Sequence, residues 1–536
     1  MKKVSVAALL LACMMFVGCE GFAPQTSTPQ TSTPADSTPI TSTPSNSSPN
    51  ESTPNVSTPD NSTPDDNTPD DTPTNTCAHV DANGDTICDI CENSVIVTLD
   101  LYAVNDLHGK FTATDTQPGI GGLTTYLKDA KKSNPNTILF SSGDMWQGGS
   151  ESNLTRGKII NDWMDEMDFV SMTLGNHEFD WGTSYIAENA ATSDFAYLAI
   201  NVYERDTNER ADYCKPSIMV ETGGAKIGII GAVGDCYSSI SSDKVQDVYF
   251  KTGSELTSLV KAESQRLKDA GADMIVYSWH EGIDGYDASL SNGYVDIVFE
   301  GHTHSRYVNT DSYGVYHLQG GGENKNVSHA KLSVNVVTDE VTTKTAETIS
   351  NSVYGSKAQD PIIQTLLDKY ADEVAIGTQT LGYNSKYRDD SELEALVADL
   401  YLQTGLERWG SQYNIVLGGG FLKTRSPYNL SAGNVMYSDL QSLFPFDNPL
   451  MLCSISGSKL KSAFIQTTNS DYYVSYSTYG NSIKNSISNN ATYYVVVDSY
   501  TWQYTWNGLT EVATYNETTF ARDLLADYIR NGGFSK

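Results

Sequence analysis

The sequence predicts a mixed α/β protein with two folded domains behind a long N-terminal region that cannot form a hydrophobic core. Three observations lead to this prediction. The chain has 536 residues, which is enough for two or three domains. From residue 95 onward, apolar runs of strand length alternate with amphipathic stretches of helical length. Between residues 24 and 76, by contrast, apolar side chains are almost absent.

The first 23 residues have the features of an export signal. Two lysines precede an apolar run over residues 4–17, which is too short and too early for an ordinary membrane-spanning helix. The run ends at Cys19 in a motif that resembles a bacterial lipoprotein cleavage site, and Cys13 ends a second match. We therefore expect a signal peptide over residues 1–23 and a lipidated Cys19 that anchors the protein to the membrane at the bacterial cell surface. Anchoring at Cys13 and plain secretion are the alternatives.

Residues 24–76 repeat Ser-Thr-Pro every five residues. Regularly spaced prolines favour an extended polyproline II conformation, which would reach on the order of 150 Å at roughly 3.1 Å per residue. We expect a disordered stalk that holds the folded domains away from the membrane.

The net charge of −32, from 66 acidic and 34 basic residues, argues against a nucleic acid duplex as partner, because duplex binding needs a basic face. No obligate protein partner is evident. An anionic ligand would have to be captured locally, by metals and a few arginines.

Residues 77–93 contain two overlapping sets of metal-ligand residue types. Four of them could form a structural zinc site: Cys77, His79, Cys88 and Cys91. Five others stand at positions 1, 3, 5, 9 and 12 of an EF-hand-like calcium loop: Asp81, Asn83, Asp85, Asp89 and Glu92. Position 6 of that loop is Thr86 rather than glycine, which argues against calcium. A linker without metal is the third alternative, and the sequence leaves all three open.

The first folded domain is expected over residues 94–350. Its predicted strands lie at 95–104, 137–141, 169–174, 226–232, 273–279 and 295–300, and its helical stretches include 156–167 and 255–270. Asp360-Pro361 is a helix start, so a helix over 361–375 is predicted within a linker over 351–375. Residues 376–536 then form a second α/β domain.

Five short polar motifs each follow a predicted strand of the first domain. Ligands bind beyond the carboxyl ends of strands in open α/β sheets, so these motifs can meet at one site. They contain Asp106, His108, Asp144, Asn176, His177, Asp180, His280, His302 and His304. A carboxylate shared by two divalent ions, with imidazoles around it, suits phosphoryl transfer, because two such ions can hold the attacking and the leaving oxygen. His280 alone would more often be a core histidine, but the whole set has little structural use.

These motifs, in this order, resemble the calcineurin-like metallophosphoesterases and, more closely, the bacterial 5'-nucleotidase family. The resemblance covers residues 95–533. It implies an N-terminal four-layer-type α/β metallophosphoesterase domain and a C-terminal α/β (α+β) nucleotidase domain. It also implies removal of phosphate from nucleotides with two divalent ions, such as Zn²⁺, Mn²⁺ or Mg²⁺.

The resemblance also assigns roles to the motif residues. The first metal would be held by Asp106, His108, Asp144 and His304. The second would be held by Asp144, Asn176, His280 and His302, with Asp144 between the two ions. His177 and Asp180 match the catalytic dyad of the family. Some family members have glutamine at the position of His304.

The second domain contains candidate substrate contacts. Gly419 and Gly420 could let the backbone approach a ligand, and Arg425 and Arg388 could bind phosphate. A tight turn with surface charges is the alternative. By resemblance, Phe446 would stack on a nucleobase, Asn448 would bind the edge of the base, and Tyr500 would be the second aromatic.

The chain departs from the family pattern at two places in this domain. Gly418 replaces an asparagine and Arg425 is displaced. The aromatic residues over 500–506 alternate as they would in a buried strand.

In the family that the chain resembles, the same kind of metal site serves several reactions. A 2',3'-cyclic nucleotide phosphodiesterase and a UDP-sugar diphosphatase are therefore alternatives to a 5'-nucleotidase. A surface-binding lipoprotein without catalytic activity is an alternative from another class.

Overall fold

The computed structural model describes residues 77–114, 118–425, 427–466, 472–474, 486–515 and 519–535. The expected signal peptide and stalk, residues 1–23 and 24–76, lie outside these ranges. None of the described helices is both long enough and apolar enough to cross a membrane.

The N-terminal domain is built on two six-stranded sheets. Its strands are β1 (Ile96–Val104), β2 (Thr137–Ser141), β3 (Phe169–Thr173), β4 (Ala196–Leu198), β5 (Val202–Glu204), β6 (Ser217–Thr222), β7 (Ala225–Val233), β8 (Val248–Phe250), β9 (Met274–His280), β10 (Ile297–Glu300), β11 (Arg306–Thr310), β12 (Tyr316–Gly320), β13 (Asn326–Asn335) and β14 (Glu340–Ser350). One sheet has the order β14-β13-β1-β2-β3-β4 and the other β11-β12-β10-β9-β7-β6. Strands β1 to β4 are parallel, as are β7, β9, β10 and β12.

The two sheets pack face to face between outer layers of helices, which confirms the four-layer arrangement. The helices of this region are α1 (Gly121–Ser133), α2 (Ser150–Thr155), α3 (Lys158–Glu166), α4 (Thr183–Ala190), α5 (Gly253–Asp269), α6 (Asn351–Tyr354), α7 (Pro361–Lys369) and α8 (Ala371–Gly377). Buried residues of both sheets, such as Leu101 and Val276, form the central layer of the core. Trp163 of α3 packs against the outer face of one sheet, and Val260 of α5 against that of the other.

The C-terminal domain has a separate core around a five-stranded sheet of order β19-β16-β20-β18-β21. Its strands are β15 (Thr380–Asn384), β16 (Ile415–Phe421), β17 (Gly433–Met436), β18 (Leu450–Ser456), β19 (Tyr472–Val474), β20 (Thr492–Asp498) and β21 (Thr510–Thr514). Its helices are α9 (Asp390–Trp409), α10 (Tyr437–Leu443), α11 (Gly457–Gln466) and α12 (Ala521–Arg530). The chain is therefore a mixed α/β protein with two domains, as predicted.

Two predicted helices differ from the observed ones. The helix expected over 156–167 begins at Lys158, because Gly157 has a left-handed backbone (φ 84°) and lies against the ring of Trp146, where a Cβ atom would be only 2.6 Å away. The helix expected over 361–375 is two helices, α7 and α8, which meet at Tyr370. The Tyr370 hydroxyl donates a hydrogen bond to Asp162 at 2.7 Å, a tertiary contact that a local pattern cannot reveal.

The alternating aromatics over 500–506 do not form a strand. Strand β20 ends at Asp498, and Thr501–Thr505 form a π-helical turn. The Asp498 carboxylate accepts a hydrogen bond from the backbone N–H of Thr501 at 2.7 Å and so caps this turn.

Candidate active site

The predicted metal ligands of the N-terminal domain meet at the carboxyl ends of five parallel strands, β1, β2, β3, β9 and β10. Three overlapping groups of ligand atoms form there, and within each group all atoms lie within 4.8 Å of one another. The first group is Asp106, His108 and His304, and the second is Asp144, His280 and His302. The third, His108, Asp144 and His177, overlaps both of them. The first two groups contain ligands that the sequence predicts for the first and the second metal.

Asp144 belongs to the second group and links it to the first. Its Oδ2 atom is 3.1 Å from Nε2 of His280, and the ligand atoms of His108 and His177 lie within 4.8 Å of its carboxylate. The backbone N–H of His177 donates to Oδ1 at 2.8 Å. This carboxylate is almost completely buried. It is therefore placed to contact two cations at once.

The imidazoles are oriented by backbone carbonyl groups. His280 Nδ1 donates to the carbonyl oxygen of Ser142 at 2.7 Å, and His108 Nδ1 donates to that of Gln147 at 2.9 Å. In the neutral form of both rings this places the lone pair on Nε2, directed into the site, as is usual for metal-binding histidines. Asn176 Oδ1 is 3.2 Å from Nε2 of His280 and 2.9 Å from Nδ1 of His302, so it belongs to the second group.

Five of the predicted ligands have left-handed backbones, which are uncommon outside glycine and cost of order 1–3 kcal/mol each. The φ values lie between 48° and 68° for Asp106, His108, Asp144, His302 and His304. Gly175 allows this crowding, since a Cβ atom there would lie 2.2 Å from Asp144 Oδ1. Strain of this kind persists only where the surrounding structure imposes it, as at functional sites.

Glu178 holds the loops after β2 and β3 together. Its buried carboxylate accepts hydrogen bonds from the backbone N–H groups of Gly175, Asp144, Met145 and Trp146, at 2.7–3.3 Å. Burial and the neighbouring Asp144 raise the pKa of Glu178 to about 7. Glu178 therefore positions the ligand loops.

His177 and Asp180 form a hydrogen-bonded pair beside the two ligand groups. Asp180 Oδ2 accepts a hydrogen bond from His177 Nδ1 at 2.7 Å. Burial disfavours a charged ring, but the carboxylates of Asp180 and Asp144 outweigh this effect and raise the pKa of His177 above its ordinary value. The pair can thus hold a proton on the ring next to the site.

The site opens into a cleft between the two domains, with a volume of about 440 Å³. This volume is in the range of small-molecule sites. One wall carries the ligand groups and the His177–Asp180 pair. The C-terminal domain contributes Lys423, Arg425, Phe446, Asp447, Asn448 and Tyr500.

Phe446 and Arg425 reach towards the His177–Asp180 pair across the cleft. The ring centroids of Phe446 and His177 are 5.8 Å apart, and the Arg425 guanidinium carbon is 5.6 Å from the Phe446 centroid. Burial, His304 and, to a smaller extent, the positive charge of Arg425 lower the pKa of His108. Arg425 stands at a different sequence position from the arginine of the family pattern, but its side chain still lies at the site.

Comparison with known proteins matches both domains. The family model of the calcineurin-like phosphoesterases matches residues 99–306, and that of the 5'-nucleotidase C-terminal domain matches residues 371–514. The chain belongs to the calcineurin-like phosphoesterases that carry a 5'-nucleotidase C-terminal domain. It is a metal-dependent phosphoester hydrolase.

Proteins of similar sequence include a 5'-nucleotidase, and a solved structure shares the fold. Protein UshA of Yersinia enterocolitica is 24% identical over 420 residues, covering 67% of this chain and 74% of that protein. A snake venom 5'-nucleotidase of Naja atra is also 24% identical, over 68% of this chain and 77% of the relative. The crystal structure of a 5'-nucleotidase precursor from Thermus thermophilus has the same fold, with a TM-score of 0.65 and 18% identity over 81% of this chain and 96% of that one.

Three residues that the sequence predicts as substrate contacts, Gly419, Gly420 and Arg388, do not line the cleft. Gly419 and Gly420 lie inside β16 rather than in a turn, and a Cβ atom on Gly420 would clash with Thr501. Gly420 therefore permits close packing of the chain on itself. Arg388 pairs with Glu392 and lies 4.0 Å from the ring of Phe534, in the core of the C-terminal domain.

Sequence reasoning also missed residues that do line the cleft. Asp447 stands between the predicted Phe446 and Asn448, and Ser241 and Thr303 come from loops of the N-terminal domain. Asp447 could have been suspected from its neighbours. Ser241 lies in a stretch with no motif, so no local signal marks it.

Proposed function

We propose that this protein is an exported, surface-attached phosphohydrolase that uses two divalent metal ions to remove phosphate from nucleotides, as a 5'-nucleotidase. The observation that carries the proposal is the composition of the cleft. One wall holds clusters of metal-ligand atoms around a shared carboxylate, and the opposite wall holds two cationic side chains, two aromatic rings and an amide. A phosphate with a nucleoside attached matches both walls.

The ligand atoms fit two divalent cations. Asp106, His108, Asp144 and His304 would hold one ion, and Asp144, Asn176, His280 and His302 the other. Oxygen and imidazole donors without thiolates suit Zn²⁺, Mn²⁺ or Mg²⁺. When bound, such a pair neutralises charge on the phosphate and makes water a better nucleophile.

The residues of the chain then have distinct tasks. Protonated His177 would donate a hydrogen bond from Nε2 to an oxygen of the phosphoryl group as negative charge develops there. Asp180 would keep the ring in position and stabilise its positive charge through the 2.7 Å hydrogen bond at Nδ1. Their pairing in the buried site supports a role in the transition state.

Substrate recognition would come from the C-terminal wall. Arg425 would bind a phosphate oxygen, since its guanidinium faces the dyad. Phe446 and Tyr500 would stack on the base, and Asn448 would bind the edge of the base. In the present conformation Asn448 Oδ1 accepts a hydrogen bond from Ser241 at 3.4 Å, a weak contact that a base could replace.

A substrate panel tests this proposal. The purified full chain would be freed of metal with a chelator, reloaded with Zn²⁺, Mn²⁺ or Mg²⁺, and assayed on AMP, 2',3'-cyclic AMP, UDP-glucose and glycerol phosphate. We expect metal-dependent hydrolysis with the highest kcat/KM on AMP. A preference for the cyclic nucleotide or UDP-glucose would replace the 5'-nucleotidase with one of these related activities. Absence of turnover with metals bound would favour a surface-binding protein.

Surface attachment has its own test. We expect Cys19→Ala to release the protein from the membrane fraction, whereas Cys13→Ala, the matched control, should leave it there. The reverse result would identify Cys13 as the anchor. If both variants stay in the membrane fraction, a lipid anchor at either cysteine is contradicted.

A further inference from the structure

The short segment before β1 contains a second cluster of metal-ligand atoms, which the proposed phosphohydrolase activity does not use. The ligand atoms of Cys77, His79, Cys88 and Cys91 all lie within 4.8 Å of one another. We propose that these four side chains bind a structural zinc ion, separate from the catalytic metals.

The distances between these ligand atoms match a tetrahedral zinc site. Cys77 Sγ lies 3.7 Å from Cys88 Sγ, and Cys91 Sγ lies 3.7 Å from His79 Nδ1. Zinc–ligand bonds of about 2.3 Å to sulfur and about 2.0–2.1 Å to nitrogen place tetrahedral neighbours about 3.8 Å apart for two sulfurs and about 3.6 Å apart for sulfur and nitrogen. Both observed edges agree with these values.

The backbone around the cluster is arranged to support Cys88. The N–H of Val80 donates to Cys88 Sγ at 3.4 Å, and Cys88 is completely buried although the surrounding loop is exposed. The backbone of Cys88 is itself held, since its N–H donates to Asn93 and its carbonyl accepts from Glu92. Such partners orient metal ligands and stabilise the charge of a thiolate.

A disulfide explains the cluster less well. The Cys77–Cys88 sulfur separation of 3.7 Å is far longer than a disulfide bond of about 2.05 Å. Three cysteines would also leave one thiol unpaired, whereas zinc uses all three together with His79.

Two of the acidic residues that could form a calcium loop accept hydrogen bonds from the backbone instead. The Asp81 carboxylate accepts hydrogen bonds from the backbone N–H groups of Gly84, Asp85 and Thr86, at 2.8–3.1 Å. Asp89 similarly accepts from the N–H of Ala82 at 2.7 Å. These bonds shape the turn that leads to Cys88, and this task needs no calcium.

The zinc would attach the segment to the N-terminal domain. The N–H of Val95 donates to the carbonyl oxygen of Thr86 at 3.0 Å, immediately before β1. On the other side, His79 Nε2 lies against the β6–β7 turn, where a Cβ atom on Gly224 would be 3.3 Å away. Zinc binding would therefore stabilise the point where the preceding chain enters the folded domain, without touching the cleft.

Cobalt substitution can separate this site from the catalytic metals. Thiolate ligands give Co²⁺ an intense charge-transfer absorption, and the proposed catalytic ligands include no cysteine. We expect the full chain loaded with Co²⁺ to show this absorption, and zinc analysis to find one ion more per chain than the catalytic centre needs. Neither readout depends on turnover, so failure of this inference and failure of the proposed hydrolase activity are distinguishable.

Two cysteine variants give the decisive comparison. Cys88→Ser should lose the Co²⁺ absorption and one zinc ion per chain, and its melting temperature should be lower than that of the wild type. The variant should still hydrolyse a phosphate ester, which would show that the chain folds. His79→Ala, which changes a less buried ligand, should weaken zinc binding in the same way. Cys214→Ser is the matched control, because Cys214 is also buried but donates only to backbone carbonyls, which a serine hydroxyl can replace.

Two outcomes would overturn the proposal. If the Co²⁺ absorption is absent and the mass of the unreduced chain is lower by two hydrogen atoms, the segment holds a disulfide. If the absorption is absent and Asp81→Asn removes bound calcium, the segment is a calcium loop.

Discussion

Arg156 Nη1 donates a hydrogen bond to Asp447 Oδ2 at 2.7 Å, so an ion pair joins the two domains at the cleft. Asp447 is also paired with Arg522, whose buried guanidinium binds the carbonyl oxygens of residues 444–446. One carboxylate thus holds the N-terminal domain, α12 and the loop that carries Phe446. The position of the C-terminal wall of the cleft therefore depends on the ion pairs of Asp447.

Removing the Asp447 charge should destabilise the protein. We expect Asp447→Asn to lower the free energy of unfolding by about 3 kcal/mol, because it leaves buried Arg522 without its carboxylate. Denaturant unfolding would measure the change. Asp527→Asn, which breaks an exposed pair with Arg530, is the control and should cost less than about 1 kcal/mol. Equal, small effects of both variants would contradict a structural role for the interdomain pair.

The same carboxylate predicts a pH dependence. Burial raises the pKa of Asp447, but the charges of Arg522 and Arg156 outweigh burial and hold it below its ordinary value. A lowered folded-state pKa means that the stabilisation is complete above the unfolded value of about 3.9 and is lost as the pH falls through the lower folded value. The stability difference between wild type and Asp447→Asn should therefore be constant near neutral pH and shrink only in acid. A difference that shrinks at higher pH would oppose this assignment.

Asp144 should be the most sensitive of the proposed metal ligands. It alone would contact both ions, so Asp144→Asn should reduce kcat/KM more than His280→Ala or His304→Ala. We expect a loss above about 100-fold, since even partners that only orient metal ligands cost about 10–100-fold. Steady-state kinetics with metal analysis would check this. If Asp144→Asn binds two ions and turns over substrate at a near-normal rate, Asp144 is not a ligand shared by both ions.

Glu178 is predicted to act through position rather than chemistry. In Glu178→Gln the amide NH₂ would face backbone N–H groups, which should cost about 1–3 kcal/mol of stability and weaken metal binding by about 10–100-fold. Metal titration and thermal unfolding would measure the two effects. Glu188→Gln, on the exposed side of α4, is the control and should change neither. Normal metal affinity in Glu178→Gln would show that the loops hold their shape without this carboxylate.

The two cleft residues Phe446 and Arg425 should respond differently to substrate. Phe446→Ala should raise KM for AMP by roughly 10-fold, from a stacking loss of about 1–2 kcal/mol, and leave hydrolysis of glycerol phosphate almost unchanged. Arg425→Ala should reduce kcat/KM on both substrates, because it would bind phosphate rather than base. Arg388→Ala is the matched control and should affect stability alone. Equal losses on both substrates in Phe446→Ala would mean that Phe446 serves packing.

Local patterns predicted the six central strands of the N-terminal domain because these buried parallel strands are continuous apolar runs, and five of them are followed by a polar motif. These strands are β1, β2, β3, β7, β9 and β10. The ends of α3 and α7 were predicted less well. They depend on Trp146 against Gly157 and on Asp162 against Tyr370, and both contacts join residues that are not neighbours in the chain. The short and outer strands were not predicted; β14, for example, mixes threonine with charged residues and has one buried residue instead of an apolar run. The strands of this domain without a prediction are β4, β5, β6, β8, β11, β12, β13 and β14.

By itself, the sequence determined the family and the order of the candidate metal ligands along the chain. Those features are local, because each ligand directly follows the strand that positions it. Only the tertiary structure decided which cations face the cleft and how the segment over 77–93 is arranged. Arg388 and Arg425 look alike in sequence, but Phe534 from the end of the chain packs on Arg388, while Arg425 is left beside Phe446. The direction of a long side chain is set by the groups that pack on it, and these come from distant parts of the chain.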